Sequence, residues 1–444
     1  MSTLRSFIQQ AEQADLLIQI EKPVDPYLEM APIIAALDGR PVLFHQVVGS
    51  DFRIMSGQCS DRRYFAMAQD CPVNQLIPRL IDAFESPRKP PVVQKGGAPC
   101  QEVEMEQVDL QRLPFLTHYA GDAGPYATAA IVIVDDPDTG PNVSFHRLLR
   151  LDATHLTARV VERRGLDTAL KKTSGDLPVA ICIGLPLHVL LAASMAPAPG
   201  VNELAIAHAL APTPVVRCLS SDLLVPVEAE FVLEGRISHR TVEEGPFVDL
   251  TETWDIVRQQ PVIEIDRITH RPDAIYHALL PGQLEHKMLM GMPREPGIFT
   301  AVNQVCRCLS VSITPGGASW LHAVVQIKKR HPDDGRKAAS AAFQGHGSLK
   351  HVVVVDDDID LHDTNDVEWA IATRFQADRD LMVWHDQPSS SLDPSAAHNP
   401  GEKSRTAKMA LDATIPWDSE DGPGKLEDFV RVPFPKTDLN RYLD

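Results

Sequence analysis

Cysteine is scarce in this 444-residue chain, long apolar runs are missing, and positive charge is in deficit. The seven cysteines are an odd number, scattered from Cys59 to Cys308, and only Cys306-Arg307-Cys308 is close-spaced. With no second pair near it, that segment reads as buried reduced thiols rather than a metal or redox site. If it is a strand, both thiols point to one face. No stretch reaches the roughly 18 apolar residues of a membrane span. The opening MSTLRSFIQQAEQADLL has no uninterrupted apolar core of a signal peptide, so a soluble cytoplasmic protein is expected. A formal net charge of -18 excludes broad binding to nucleic acid or anionic membrane, but not a local arginine cluster around a small anion.

Common chemical signatures are missing too. There is no Walker-type phosphate loop, no GxGxxG after a strand, no HExxH and no GxSxG elbow; Gly96-Gly97 and Gly316-Gly317 read as turns. Thr117-His118 and His155 lack partners at ligand spacing and read as core or surface histidines. Internal repeats and low-complexity tracts are absent. Asp356-Asp357-Asp358-Ile359-Asp360 lacks the turn glycine and terminal glutamate of a calcium loop and reads as a structural acidic strand end.

What is present is a globular balance, 44% hydrophobic and 23% charged, long enough for two or three domains. The expected division is an N-terminal α/β region over 1–105, a β-rich block over 106–310 and a second α/β domain over 311–444. Ser2-Thr3 caps a helix through Ile8, and Pro41–Phe44 is a short strand. Ala129–Val134 is a buried strand, and Asn142–Leu151 alternates as its hairpin partner. Val179–Gly184, Phe231–Gly235 and Val262–Ile268 read as strands, and Val201–Leu210 has helical spacing. Further on, Trp320–Ile327 and His351–Val355 are strands; Asp333–Phe343 and Val367–Arg374 are helices. Gln387–Ser404 is a loop.

Two segments carry the chemistry. Glu244-Gly245-Pro246-Phe247-Val248-Asp249 sets two carboxylates five residues apart around a Gly-Pro turn, and Asn142-Val143-Ser144-Phe145-His146-Arg147 ends an alternating run on arginine. An arginine and two carboxylates are the parts needed to hold an acid and move one proton. With Ala193-Ser194-Met195, Glu203, Leu224-Val225-Pro226, Ala229-Glu230, Ala370–Arg374 and Ala407-Lys408-Met409 in the same order, the chain resembles the UbiD-type decarboxylases from about Leu113 onward.

The resemblance implies an α+β multidomain fold with a central split β-barrel that binds prenylated FMN. It implies a catalytic set of Arg147, Glu244 and Asp249, the last standing where some members have glutamate and so one methylene shorter. Asn142 and Glu203 would hold Mn2+ or Mg2+; the carbonyls of Ala192, Ala193 and Met195 would hold K+ or Na+. Ser144, Phe145, His146, Arg147, Ser194, Met195 and Lys408 would contact the cofactor. A metal-ligand histidine is expected 18 residues after the arginine, but that position is Gly165. Either water fills it, or Arg163 or Arg164 meets the phosphate directly. A prenyltransferase supplying the cofactor and a homodimer or higher oligomer are implied as partners.

Loss of CO2 from an sp2 carbon needs an electron sink that side chains lack, so a cofactor must supply it. The expected reaction is non-oxidative, reversible decarboxylation of an α,β-unsaturated or (hetero)aromatic acid. Arg147 would orient the carboxylate, Glu244 would fix Arg147, and Asp249 would protonate the carbon. Leu185, Leu187, Ile327 and Leu280–Met288 are candidates to line the pocket, and His286 and Lys287 either read a second polar group or face solvent. Two other readings stay open: an accessory flavin-binding subunit without its own activity, and a flavin reductase built on the split barrel.

Overall fold

A computed structural model describes residues 3–399 and 402–417, with isolated positions 428, 429, 431, 432, 435, 437, 438 and 441. The chain packs as two units. The first comprises Met1–Pro296, Pro315–Trp320 and Ser391–Ser395; the second comprises Gly297–Thr314, Leu321–Ser390 and Ala396–Asp444. Among the described residues no helix is long and apolar enough to cross a membrane.

The first unit opens on the helix Leu4–Gln13, which starts where a capping box closes. Thr3 Oγ1 accepts from the Ser6 amide at 2.9 Å, and Ser6 Oγ accepts from the Thr3 amide at 2.7 Å. Ser2 lies outside the described residues. The strands Ile18–Ile20, Val42–Phe44 and Arg53–Ser56 then form a small sheet whose fourth strand is Ile275–His277. The first hundred residues and the β-rich block thus share a sheet.

The β-rich block is built around an antiparallel sheet of nine strands. Its main path runs Tyr126–Ala127, Leu148–Arg150, His155–Ala158, Arg258–His270, Phe231–Glu244, Leu177–Ile183, Ile131–Asp136, Gly140–Phe145. Gly140–Phe145 ends that path, and Leu148–Arg150 lies six strands away. Laid flat, six steps would separate them by roughly 29 Å. Yet only His146 and Arg147 join them, a reach of about 11 Å. The sheet must therefore curl until its ends nearly meet, giving a barrel with an open seam. Arg147 sits on the link across that seam.

The expected hairpin forms, with Ile131 opposite Phe145 and Asp136 opposite Gly140. Its return strand stops at Phe145 instead of running to Leu151, because His146-Arg147 leaves for the far end of the path. The strand expected at Phe231–Gly235 continues to Glu244. Its second half is polar and largely solvent-facing, so hydrophobicity did not announce it. Val179–Gly184, Val262–Ile268 and the Val201–Leu210 helix appear as Leu177–Ile183, Arg258–His270 and Glu203–Leu210.

In the second unit, Arg307–Ile313, His322–Lys328, His351–Val355, Arg405–Asp412 and Leu381–Pro388 form a mixed sheet, with helices Asp334–Gly345 and Thr364–Arg374 between strands. The acidic strand end has a structural role. The buried Arg374 donates to Asp356 at 3.3 Å and to Asp358 at 3.0 and 2.6 Å. Cys306 precedes the strand that begins at Arg307, so the two thiols do not share a strand face. Both are free, and burial pushes the Cys308 thiol up to about 12.

The helix Leu187–Ser194 is apolar apart from Ser194 at its end and His188, whose Nε2 meets Thr213 Oγ1 at 2.9 Å. Burial, helped by His208, pulls His188 down to about 4. The neutral ring is thus the folded form. Its stabilisation is present above about pH 6.5 and lost as pH falls through about 4, at most about 3 kcal/mol. Urea unfolding at pH 7 and pH 4.5 should show a smaller acid loss for His188→Gln than for the parent; equal losses would refute this source.

Candidate active site

Three carboxylates converge on Arg147. Its Nε donates to Glu244 Oε1 at 2.8 Å and its Nη2 to Glu244 Oε2 at 3.0 Å, a bidentate pair. Nη1 donates to Asp249 Oδ2 at 2.8 Å, and Nη2 also donates to Asp255 Oδ2 at 2.9 Å. Four of the five N–H groups of a guanidinium are thereby engaged. Burial alone would lower the Arg147 pKa, but the bonds to Glu244 and the charges of Asp249 and Asp255 outweigh it and raise it. The guanidinium also lies 4.6 Å from the centre of the Phe247 ring.

Local backbone explains the convergence. Glu244 is the last residue of its strand, fully buried, and also accepts from the Tyr126 hydroxyl at 3.2 Å. Gly245 follows at φ +96°, a conformation glycine adopts without a Cβ clash, and the Gly245-Pro246 peptide is cis. Phe247–Val248 then pairs with Trp254–Asp255, and the Asp249 amide donates to Thr253 O at 3.1 Å. That hairpin advances Asp249 far enough for its shorter side chain to reach Arg147. It also sets Asp255 opposite Phe247, a residue the sequence reading missed. Asp255 accepts from Arg258 as well, at 2.7 Å. Burial would raise its pKa, but the two arginines lower it.

The residues before Arg147 form a chain of hydrogen bonds. Asn142 Nδ2 donates to Ser144 Oγ at 3.1 Å, Ser144 Oγ meets His146 Nε2 at 3.0 Å, and His146 Nδ1 meets Arg159 O at 2.8 Å. Burial lowers the His146 pKa, so its neutral form is favoured. Phe145 packs against the core. Glu203, at the start of its helix, accepts from the Val143 amide at 3.1 Å and is pushed by burial to about 7. Ala192 and Ala193 are buried in the helix Leu187–Ser194, and the Met195 amide donates back to Ala192 O at 3.1 Å. Ser194 Oγ donates to Leu191 O, while Ser194 O accepts from Arg294 at 3.0 Å.

Other expected residues fall elsewhere. Lys408 belongs to the second unit, where it donates to Gly347 O at 2.7 Å and lies over the Phe343 ring. Ile327 is buried in that unit, and Leu185 and Leu187 are core residues of the first. Lys287 pairs with Glu252, and His286 Nδ1 accepts from the Gly282 amide at 3.1 Å. Neither therefore simply faces solvent. Glu285, within the same segment, is buried and accepts from the amides of Gly57 and Cys59 and from His277.

A flavin mononucleotide suits this set: Asn142, Ser144 and His146 form a run of hydrogen-bonding side chains just before Arg147, and Arg294 Nε is buried with no partner among the described residues. A divalent ion suits it less. A Cβ on Gly165 would stand 1.8 Å from Asn142 Oδ1, so the carboxamide fills the place of the absent side chain. Among the described residues no group of three or more His, Cys, Asp or Glu could hold a metal. Asn142 and Glu203 alone leave a protein shell incomplete.

Asp255→Asn should loosen Arg147 without touching the flavin region. A fall in kcat of about tenfold is expected from one charge-assisted bond, with flavin affinity unchanged. An unaltered kcat would exclude a positioning role for Asp255.

The chain matches the 3-octaprenyl-4-hydroxybenzoate carboxy-lyase N-terminal domain over residues 8–84, its Rift-related domain over 91–284 and its C-terminal domain over 287–413. It is 39% identical to the anhydromevalonate phosphate decarboxylase of Methanothermobacter thermautotrophicus, covering 97% of this chain and 99% of that one. The enzyme of the same name from Methanosarcina mazei is 42% identical, covering 93% and 96%. The UbiD-class enzyme HmfF from Pelotomaculum thermopropionicum, solved in complex with FMN, has a TM-score of 0.93 at 38% identity, covering 99% of this chain and 100% of that one. Matched along nearly its whole length in sequence and in fold, the chain belongs to the UbiD family of carboxy-lyases and is a decarboxylase.

Proposed function

We propose that this chain removes CO2 non-oxidatively from an α,β-unsaturated carboxylic acid, with prenylated FMN as cofactor and Arg147, Glu244 and Asp249 as the acid-handling set. The observation that carries the reading is the three-carboxylate clasp on Arg147. The names of the relatives at 39% and 42% identity make anhydromevalonate phosphate the first substrate to test, ahead of an aromatic acid. A flavin in the HmfF structures, FMN in one and prFMN in another, supports the cofactor. Homodimer or higher assembly, cofactor supply by a prenyltransferase, and flavin contacts through Ser144, Phe145, His146, Ser194 and Met195 belong to the same proposal.

When bound, the prenylated flavin supplies the electron sink for the breaking C–C bond. The protein handles the carboxylate and the proton. Arg147 has one N–H left, on Nη1, beside the bond to Asp249. An incoming carboxylate meets that nitrogen. A proton on Asp249 removes its charge, weakens its hold on Nη1 and frees the position for substrate. Protonation of Asp249 and binding of the acid are thus linked at a single atom. Glu244, fully buried and bonded to Arg147 twice, keeps the guanidinium fixed throughout. After CO2 departs, the carbon left with the electron pair takes the proton from Asp249, and the Asp249 carboxylate returns to Arg147. In reverse, the same steps carboxylate.

Cofactor-loaded protein should release CO2 from anhydromevalonate phosphate in a screen that includes cinnamic and furoic acids. Asp249→Asn should abolish both turnover and solvent-proton exchange at the product carbon while flavin stays bound. Turnover retained by that variant would remove Asp249 from the proton step; turnover of aromatic acids alone would overturn the substrate class.

A further inference from the structure

Arg294 is the least explained charge in the first unit. It ends the turn Met292–Arg294, its Nη2 donates to Ser194 O at 3.0 Å, and its guanidinium lies 5.5 Å from the centre of the Trp320 ring. Its Nε is buried without a partner, and among the described residues no carboxylate comes within ion-pair distance of it. Burial draws its pKa down to about 10, and the positive charge of Arg164 pushes in the same direction. Two guanidiniums that repel each other, one of them half-buried with its Nε shut off from solvent, are held in a chain of net charge -18 with many carboxylates available. Burying an unpaired charge is costly, so this arrangement is that of a site completed by an anion.

Arg164 is the N-cap of the helix Gly165–Lys172, in extended conformation and with no side-chain cap bond. The free N–H groups of a helix's first turn favour an anion. The nearest acid on that turn, Asp167, is already committed to the Arg163 amide and the Lys171 ammonium, both at 2.7 Å. Gly165 puts no side chain over this end; the Asn142 carboxamide lies where its Cβ would be.

We propose that Arg294 and Arg164, with the open N-terminus of the Gly165–Lys172 helix, bind a phosphomonoester dianion directly, in place of the divalent ion that Asn142 and Glu203 alone would hold poorly. The phosphate belongs either to the flavin mononucleotide or to a phosphorylated substrate. Direct guanidinium–phosphate pairing is bidentate, bears both charges and needs no bridging cation. The site goes beyond the decarboxylase reading, because it predicts phosphate binding whether or not CO2 is released.

Flavin-free protein titrated with FMN and with riboflavin, in buffer with and without EDTA, tests the site by fluorescence quenching. Wild type should prefer FMN strongly, with the preference unchanged by EDTA. If the phosphate is the flavin's, Arg294→Met should weaken FMN by about ten- to hundredfold and leave riboflavin unchanged. If it is the substrate's, FMN affinity stays, while binding of anhydromevalonate phosphate weakens by a similar factor and that of its dephosphorylated form does not. Arg164→Gln, at an exposed position, should shift the same ligand by several-fold and serves if Arg294→Met fails to fold. The proposal is overturned if EDTA abolishes the FMN preference, or if neither variant changes the affinity of either phosphate ligand. Failure of the decarboxylation assay alone leaves the FMN arm standing, so the two readings fail separately.

Discussion

A guanidinium held by three carboxylates at the seam of a curled sheet is the constraint on which the rest of this site depends. Arg147 is reached from Glu244, Asp249 and Asp255 across separations of 97, 102 and 108 residues. None of these contacts exists until the sheet has curled. Once it has, two linking residues hold the sheet's ends close, and the arginine has almost no freedom left. A buried arginine removed from such a clasp leaves acids without a counter-charge, which is why it serves as a structural pin.

The clasp also sets the logic of the chemistry. Glu244 is fully buried and tied to Tyr126 as well as to Arg147, so it is the fixed partner. Asp249 is part-exposed, sits on a hairpin, and shares the one nitrogen that still has an N–H to give. Asp255 is balanced between Arg147 and Arg258 and steadies the far side. Three acids on one arginine thus differ in freedom, and in the proposed reaction that difference separates anchoring from proton handling.

The phosphate side of the molecule follows a different rule. There the chain sets positive charge in a poorly paired state. Gly165 takes away a potential ligand, Asn142 lies in its space, and Arg294 keeps a buried Nε with no partner among the described residues. Substituting guanidinium for a bridging cation keeps the charge while changing its source from a bound ion to the polypeptide.

Much of this was legible along the chain. Helix and strand periodicities located most elements, because burial of one face leaves a local pattern of period 3.6 or 2. Arg147, Glu244 and Asp249 were singled out from two short segments, since a Gly-Pro turn between two acids is a local device. The second half of the Phe231–Glu244 strand was not legible, because its exposed residues carry no apolar alternation. Asp255 was invisible as well: its role comes from the register that sets it opposite Phe247. The fate of Arg294 likewise depends on Ser194, a hundred residues away. Residue types and local turns determined which chemistry the chain could assemble; only the curling of the sheet, a sum of long-range pairings, decided which acids meet the arginine and which arginine is left to meet an anion.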